Sequence, residues 1–314
     1  MNNSFEFMVE LAKSYYLDAM SQSEIAALYK ISRPTVASIL KKCREKGIVE
    51  IRINDMSPFS SETGQYLAEK FGLKTVCVIP QEIDYPLTLY KTCLELAEFL
   101  VSLFTNRMRI GISWGTSLYH TIRQLPKLGL VDCEAVQLVG GLGANALYYD
   151  GAELGRILAD KINARFYPVL SPLLVQTQEL RNALLKEPRI RETLEKAESL
   201  DLALVGLSSD LPEDSALVRS GFLSLEEARQ VYDEGSCGHL CGYHYNEDGN
   251  FMDSPINNRV IGITPEGFLQ IKRRIGVACG EQKARAIHAA LKGSFLTDLF
   301  TDELTALKII SFER

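Results

Sequence analysis

From residue 62 onward, short apolar runs alternate with longer stretches whose apolar residues recur at helical spacing. Such alternation predicts strands separated by helices, and strands connected through helices run parallel, with helices on both faces of the sheet. The runs interpreted as strands are KTVCVIP, MRIGIS, EAVQLVG, ARFYPV, DLALVGL, RVIGIT and RIGVAC. Two of the separating helices are predicted over 87–104 and 282–292. The pattern therefore predicts a large, doubly wound, mainly parallel α/β domain.

A different pattern precedes this region: two short helices joined by a tight turn. Ser21 or Ser23 can cap the first helix and Ser32 the second, and Pro34 suits a first turn where its missing N–H has no partner. GIVEIRI then alternates like the strand of a wing, and NDMSPFSS interrupts all periodicity. We predict a winged helix-turn-helix DNA-binding domain over 1–55, a linker over 56–61, and an effector-binding and oligomerisation domain over 62–314.

Charge is segregated along the chain. Residues 30–52 hold seven basic and two acidic side chains, a net of about +5, whereas the whole chain carries -6. A recognition helix places its first side chains against base edges and later basic residues near phosphates. This predicts base contacts by Arg33, Thr35 and Ser38 and phosphate contacts by Lys41 and Lys42. A solvated basic helix in a three-helix unit would explain the charge, but not the caps, turn and wing together.

Three strand-to-helix junctions carry groups suited to a ligand. Ligands of parallel sheets bind beyond the carboxyl ends of the strands, and hydroxyl and N–H groups at a helix start attract anions. We expect Thr116, Ser117 and Lys283 to share one phosphate. The junction residues are Gly115, Thr116 and Ser117 after MRIGIS, Gln137, Gly140 and Gly141 in and after EAVQLVG, and Gly280 and Lys283 after RIGVAC.

Cofactor and metal sites are weakly indicated. GLGANA partly fits a dinucleotide fingerprint, but no second strand ending in an acid follows at the right distance, so NAD is not expected. CGHLCGYH offers two cysteines and two histidines without a second ligand pair, which favours a glycine-rich strand junction over zinc. Seven scattered cysteines suit reduced thiols, and no apolar run reaches the ~18 residues of a membrane span. We expect a cytoplasmic protein with no cofactor, metal or membrane contact.

The order of the segments is more specific than any one of them. SQSEIAALYKISRPTVASIL, GISWGTSL, VQLVGG, FYPVLSPLLV, GHLCGYHYNEDG, RVIGITPEGF and GVACGEQKARAIHAALKG follow one another as in the SorC family of bacterial sugar-responsive transcriptional regulators, which the chain resembles over nearly its whole length. The resemblance implies an effector domain similar to sugar-phosphate isomerases and CoA transferases. It also implies double-stranded operator DNA and a phosphorylated sugar as partners, and a dimer or tetramer.

Matched position by position, the resemblance assigns effector-binding roles to three loops. The chain departs from the family pattern at Cys279, at Ser208 and at Asn246, where a glycine, a Gly-x-Gly run and an aspartate are common. The assigned residues are Gly115, Thr116 and Ser117, then Gln137, Gly140 and Gly141, then Gly280, Glu281 and Lys283, with Asp248 retained beside Asn246.

Two other functions compete with a regulator of a carbohydrate-utilisation operon. A sugar-phosphate isomerase-like enzyme would use Glu281 with Lys283, helped by Asp248, as carboxylate base and cation in one pocket. It would have no use for a helix-turn-helix, so we expect no enzymatic activity. A purely architectural DNA-binding protein would have no use for the three strand-to-helix junctions that carry ligand-binding groups.

Overall fold

The computed structural model describes residues 4–49, 58–143 and 148–313. The chain forms two compact units, Met1–Asp55 and Met56–Arg314. The predicted linker over 56–61 lies at the start of the second unit, and its first two residues fall outside the described ranges.

The first unit contains three helices, α1 (Phe5–Tyr16), α2 (Gln22–Leu28) and α3 (Arg33–Glu45). Ser21 caps α2 in a capping box, in which Glu24 accepts a hydrogen bond from the Ser21 N–H. Ser32 caps α3 by accepting from the Thr35 N–H, with Pro34 in the first turn as predicted. Most of the predicted wing strand, GIVEIRI, lies outside the described residues.

The second unit is built on a seven-stranded sheet in the order β1-β10-β9-β5-β2-β3-β4, and every strand pair in it is parallel. A smaller antiparallel sheet has the order β6-β7-β8. The strands are β1 (Thr75–Ile79), β2 (Arg109–Ile112), β3 (Cys133–Gln137), β4 (Ala164–Tyr167), β5 (Leu202–Gly206), β6 (Ser208–Ser209), β7 (Ser236–Leu240), β8 (Tyr243–Asn246), β9 (Arg274–Val277) and β10 (Asp298–Asp302).

Helices cover the large sheet, and two hydrophobic clusters include buried side chains from its strands. The predicted class, a helix-turn-helix followed by a mainly parallel α/β domain, is confirmed. No helix in the described part of the chain is long and apolar enough to cross a membrane. The helices are α4 (Glu62–Phe71), α5 (Tyr85–Leu103), α6 (Thr116–Gln124), α7 (Gly151–Ile162), α8 (Gln178–Leu184), α9 (Pro188–Ala197), α10 (Ala216–Arg219), α11 (Leu225–Asp233), α12 (Pro265–Gln270), α13 (Ala284–Lys292) and α14 (Glu303–Ser311).

One predicted strand was wrong. RVIGIT forms only isolated antiparallel bridges, Val260 with Leu174 and Gly262 with Val139. Its first residue, Arg259, belongs to a 3₁₀ turn (Asn257–Arg259), and its last, Thr264, caps α12, so few residues remain to extend a ladder. Conversely, the pattern of apolar residues does not predict β10, which has an aspartate at each end.

The CGHLCGYH segment is a hairpin, in agreement with the strand junction favoured above. β7 and β8 pair antiparallel, and the turn residues Cys241 and Gly242 have φ of 52° and 81°. All seven cysteines are buried and free. Among the described residues no three metal-ligating side chains gather into a cluster.

Candidate functional site: a cavity at the carboxyl edge of the sheet

The order β9-β5-β2 brings the carboxyl ends of three strands side by side, and a cavity of about 440 Å³ opens there. Its wall includes the segment after β2 (113–118), the segment after β5 (206–209), and Gln282 and Lys283 after β9. The hairpin contributes His239 and Cys241, and α10 contributes Arg219. The cavity thus gathers groups from several parts of the chain that are distant in sequence.

The loop after β2 presents an uncapped helix N-terminus to this cavity. Gly115 precedes α6 with a φ of 127°, a backbone conformation that only glycine adopts readily. No side chain caps α6, so the N–H groups of its first turn remain available, beside the hydroxyls of Thr116 and Ser117. Such an arrangement of N–H groups, hydroxyls and helix dipole binds anions.

Two cations face the same space. Lys283 ends the 3₁₀ turn Glu281–Lys283 and is partly buried. Burial lowers the pKa of the Lys283 ammonium, and the nearby Arg219 guanidinium lowers it further. Arg219 is more exposed and donates a hydrogen bond from Nη1 to the Asp214 carbonyl at 2.6 Å. Mutual repulsion of two cations in one cavity is relieved when an anion binds between them.

Another part of the cavity wall is aromatic and polar. The indole of Trp114 stacks on the imidazole of His239, with ring centroids 5.8 Å apart and planes 21° apart. Both rings are almost fully buried, and both line the cavity. This wall therefore holds neutral side chains, whereas the anion-binding groups lie around the α6 terminus and Lys283.

The structure brings together four of the predicted effector residues: Gly115, Thr116, Ser117 and Lys283 all line the cavity. Gly280 and Glu281 are not in the lining, although they form the turn that presents Lys283. Gly280 has a φ of 104°, and its N–H donates to Asp302 at 2.9 Å, which holds the turn against α14. Glu281 is exposed.

The three predicted effector residues at the end of β3 and just after it, Gln137, Gly140 and Gly141, are not in the cavity lining. Gln137 is fully buried, and its Oε1 accepts a hydrogen bond from the Val169 N–H at 3.1 Å. A Cβ at Gly140 would stand 2.2 Å from the Pro172 carbonyl oxygen, and the Gly141 N–H donates to Ser171 at 2.8 Å. These three residues pack one loop against another. A role for them in effector binding remains a prediction.

Asp248 also lies away from the cavity wall. Its exposed carboxylate pairs with Lys292 at 3.1 Å, at the far end of α13 from Lys283. Conversely, the sequence did not single out Trp114, Arg219 or His239 as effector ligands. Trp114 lies in GISWGTSL, just before the predicted anion-binding residues, and His239 lies in CGHLCGYH, the segment considered for zinc. Arg219 lies on the four-residue helix α10, for which the sequence shows no pattern that indicates a ligand.

The predicted DNA-contacting residues lie along α3. Val36, Ile39, Leu40 and Cys43 bury one face of this helix. The remaining surface carries Arg33, Ser38, Lys41 and Lys42, all exposed, and the partly buried Thr35, whose hydroxyl is 2.7 Å from that of Ser32. The helix therefore offers one basic, solvent-facing surface, as a recognition helix requires.

Family models match both units. A winged helix-turn-helix DNA-binding model matches residues 18–50, and the model of a sugar-binding domain matches residues 57–311. Together these units define a DNA-binding transcriptional regulator controlled by a sugar effector. The chain belongs to the SorC family of bacterial sugar-responsive transcriptional regulators.

Individual relatives extend over nearly the whole chain. The deoxyribonucleoside regulator of Bacillus subtilis (strain 168) is 28% identical over 309 residues, covering 98% of this chain and 97% of the relative. The transcriptional regulator LsrR of Escherichia coli (strain SMS-3-5 / SECEC) is 30% identical over 307 residues, covering 97% and 94%. The crystal structure of the full-length sorbitol operon regulator SorC from Klebsiella pneumoniae superposes with a TM-score of 0.87 at 26% identity, covering 97% and 98%.

Proposed function

We propose that the sugar effector is phosphorylated, that it binds in the cavity at the carboxyl edge of the sheet, and that it controls binding to the operator of a carbohydrate-utilisation operon. The observation that carries this proposal is the convergence of Thr116, Ser117 and Lys283 on one cavity. A neutral sugar would leave the Lys283 and Arg219 charges without a counter-charge from the ligand.

A phosphate dianion matches the donors that the cavity offers. The N–H and hydroxyl groups at the start of α6 can donate to its oxygens, and the Lys283 ammonium supplies a cation. Charge-assisted hydrogen bonds are stronger than neutral ones, roughly 1.5–3 kcal/mol each. Phosphorylation should therefore contribute most of the affinity, and the sugar most of the selectivity.

The partners follow from the DNA-binding unit. One helix-turn-helix buries too little surface for tight specific binding, so we infer a homo-oligomer, dimer or tetramer, whose paired heads read half-sites about 34 Å apart on double-stranded operator DNA. A protein that binds a bacterial operator works in the cytoplasm. Self-association is assigned to 62–314.

A regulator is favoured over the isomerase-like enzyme by the placement of the three residues that catalysis would need. Of Glu281, Lys283 and Asp248, only Lys283 lines the cavity. No carboxylate base from this set stands beside the ammonium. NMR can follow a sugar phosphate incubated with the protein for a day. Conversion of the sugar phosphate to an isomer would support the enzyme hypothesis.

The test of the phosphate site is a pair of lysine variants on one helical segment. A thermal-shift screen of the full chain, using C5 and C6 aldose, ketose and alditol phosphates beside their unphosphorylated partners, first selects a ligand. Calorimetry then compares wild type, Lys283→Met and Lys292→Met. We expect Lys283→Met to lose affinity for the phosphate ester and to hardly change the weak binding of the unphosphorylated sugar.

Lys292→Met is the matched control, because Lys292 lies at the other end of α13 and pairs with Asp248 at the surface. It should bind both sugars like wild type. Equal affinity of wild type and Lys283→Met for the phosphate ester would place the anion elsewhere. DNA binding without ligand should survive both changes.

A further inference from the structure

His239 lines the cavity, and among the described residues one of its ring nitrogens has no hydrogen-bond partner. It lies in β7, is 2% exposed, and stacks on Trp114. Its Nε2 is buried and has no hydrogen-bond partner among the described residues. Buried polar atoms in folded proteins are almost always paired, so an unpaired one in a cavity wall indicates a partner that arrives with a ligand.

The neighbouring histidine shows how a purely structural imidazole is held in the same sheet. His244 packs against His239 with ring centroids 5.6 Å apart. Its backbone N–H donates to Asn257 Oδ1 at 2.7 Å, its Nδ1 lies 3.3 Å from the same oxygen, and its Nε2 lies 3.8 Å from Asp210. The fold thus surrounds His244 with polar groups but leaves Nε2 of His239 unpaired.

The charge state of His239 indicates which ligand group it would meet. Burial lowers the pKa of the His239 imidazole well below its ordinary value, and His244, Arg219 and Lys283 lower it further. A neutral imidazole has one donor and one acceptor nitrogen. A hydroxyl matches it because a hydroxyl both donates and accepts, whereas a phosphate pairs better with the Lys283 and Arg219 cations.

We propose that His239 determines the sugar specificity of this cavity by hydrogen-bonding a hydroxyl of the effector, with Trp114 holding the imidazole plane in place. The inference rests on the proposed function, since it takes the phosphate to be anchored near Lys283. A site built to pair a hydroxyl rejects an analogue that lacks it, because the protein group is then left unpaired. The effector should therefore be the phosphate ester of a sugar or polyol whose remaining groups are uncharged hydroxyls.

Two variants of the full-length protein separate the roles of the ring and of its nitrogens. His239→Phe keeps an aromatic ring to stack on Trp114 but removes both nitrogens, and His239→Gln keeps a donor and an acceptor. Calorimetry uses three probes: the sugar phosphate selected by the screen, its deoxy analogues, and inorganic phosphate. We expect His239→Phe to bind the sugar phosphate about 10- to 100-fold more weakly, as for one buried hydrogen bond lost, with unchanged affinity for inorganic phosphate.

Wild type should bind one deoxy analogue as weakly as His239→Phe binds the parent sugar phosphate. His239→Gln should recover part of the affinity for the parent sugar phosphate that His239→Phe loses. If His239→Phe keeps the wild-type affinities and the wild-type ranking of analogues, the proposal is overturned. Loss of inorganic phosphate binding in His239→Phe would also overturn it, since that result means general damage to the cavity.

A ligand-free measurement tests the unpaired nitrogen directly. Removing an unpaired buried polar atom stabilises a fold, so the Tm of ligand-free His239→Phe should equal or exceed that of wild type. A clear fall in Tm would mean that a buried water or protein group pairs with Nε2, which overturns the inference. If no phosphorylated probe binds wild type, the proposed function fails, and this Tm comparison still decides whether His239 is unpaired.

Discussion

The Glu313 carboxylate accepts a hydrogen bond from Nε2 of His288 at 2.6 Å, which joins the last residues described to the middle of α13. Its other oxygen lies 2.6 Å from Nζ of Lys70 on α4. The imidazole lies between Phe71 and Phe312, with ring centroids 5.9 Å and 5.5 Å away. One carboxylate therefore links α4, α13 and the end of α14, three helices of the large unit.

The first prediction concerns the pH dependence of this link. The hydrogen bond from Lys70, and then that from His288, lowers the pKa of the Glu313 carboxyl. A depressed carboxyl pKa stabilises the fold above the unfolded value, about 4.3, and this contribution is lost as pH falls through the lower folded value. Glu313→Gln should lose about 1 kcal/mol or less at pH 7.

Urea unfolding from pH 7 down to pH 3 measures this. The difference in unfolding free energy between wild type and Glu313→Gln should shrink as the pH falls below about 4.3. Glu226→Gln, an exposed change on α11, serves as the control. A difference that stays constant over this range would show that the carboxylate charge contributes nothing.

The second prediction distinguishes base reading from phosphate binding on α3. Arg33→Ala should weaken operator binding by roughly 1–3 kcal/mol if its guanidinium pairs with a guanine, and should weaken non-specific binding less. Lys41→Ala should weaken both, with a smaller salt dependence than wild type. Titrations of operator and scrambled DNA at two salt concentrations measure these effects. Equal losses on both DNAs for Arg33→Ala would contradict a base contact.

The third prediction concerns the loop after β3. A Cβ at Gly140 would stand 2.2 Å from the Pro172 carbonyl oxygen, so Gly140→Ala must displace backbone and should destabilise the large unit by about 1–3 kcal/mol. Gly129→Ala is the matched control, since nothing lies within 4 Å of its added Cβ. Denaturant unfolding checks the pair. Loss of effector affinity in Gly140→Ala without loss of stability would support the effector role that the resemblance gives this loop.

The fourth prediction concerns assembly. Because two DNA-binding heads must lie on one face of the duplex, the full chain should be a dimer or tetramer at micromolar concentration, measured by light scattering. Inserting about 5 base pairs between half-sites should abolish tight binding, and inserting about 10 should restore it, since the helical repeat is about 10.5 base pairs. A monomer that still binds its operator tightly would contradict the proposed paired heads.

Local patterns predicted much of the fold because local physics dictates it. Ser32 and Pro34 mark the start of α3 through groups within three residues of each other. The pattern does not predict β10 because burial of its acidic ends depends on distant partners: the fully buried Asp298 pairs with Arg273 at 2.7 Å. A pattern of apolar residues along the chain cannot show that a carboxylate will be buried beside a cation that is distant in sequence.

Some residues of the candidate site could be predicted from local patterns and others could not. Thr116, Ser117 and Lys283 could be predicted because the carboxyl ends of parallel strands lie at one edge of the sheet. Arg219 and His239 could not, since they reach the cavity from a four-residue helix and a separate antiparallel hairpin.

The sequence by itself determined the two-part organisation, the basic recognition helix, the parallel α/β class and the family, because caps, periodicity and charge act over a few residues. Only the tertiary structure decided which loops share the cavity. The order β9-β5-β2 brings Lys283 and Thr116 to one space, while Gly140 packs closely on Pro172 and is not in the cavity lining. Those outcomes depend on close packing between residues far apart in the chain, which no local pattern encodes.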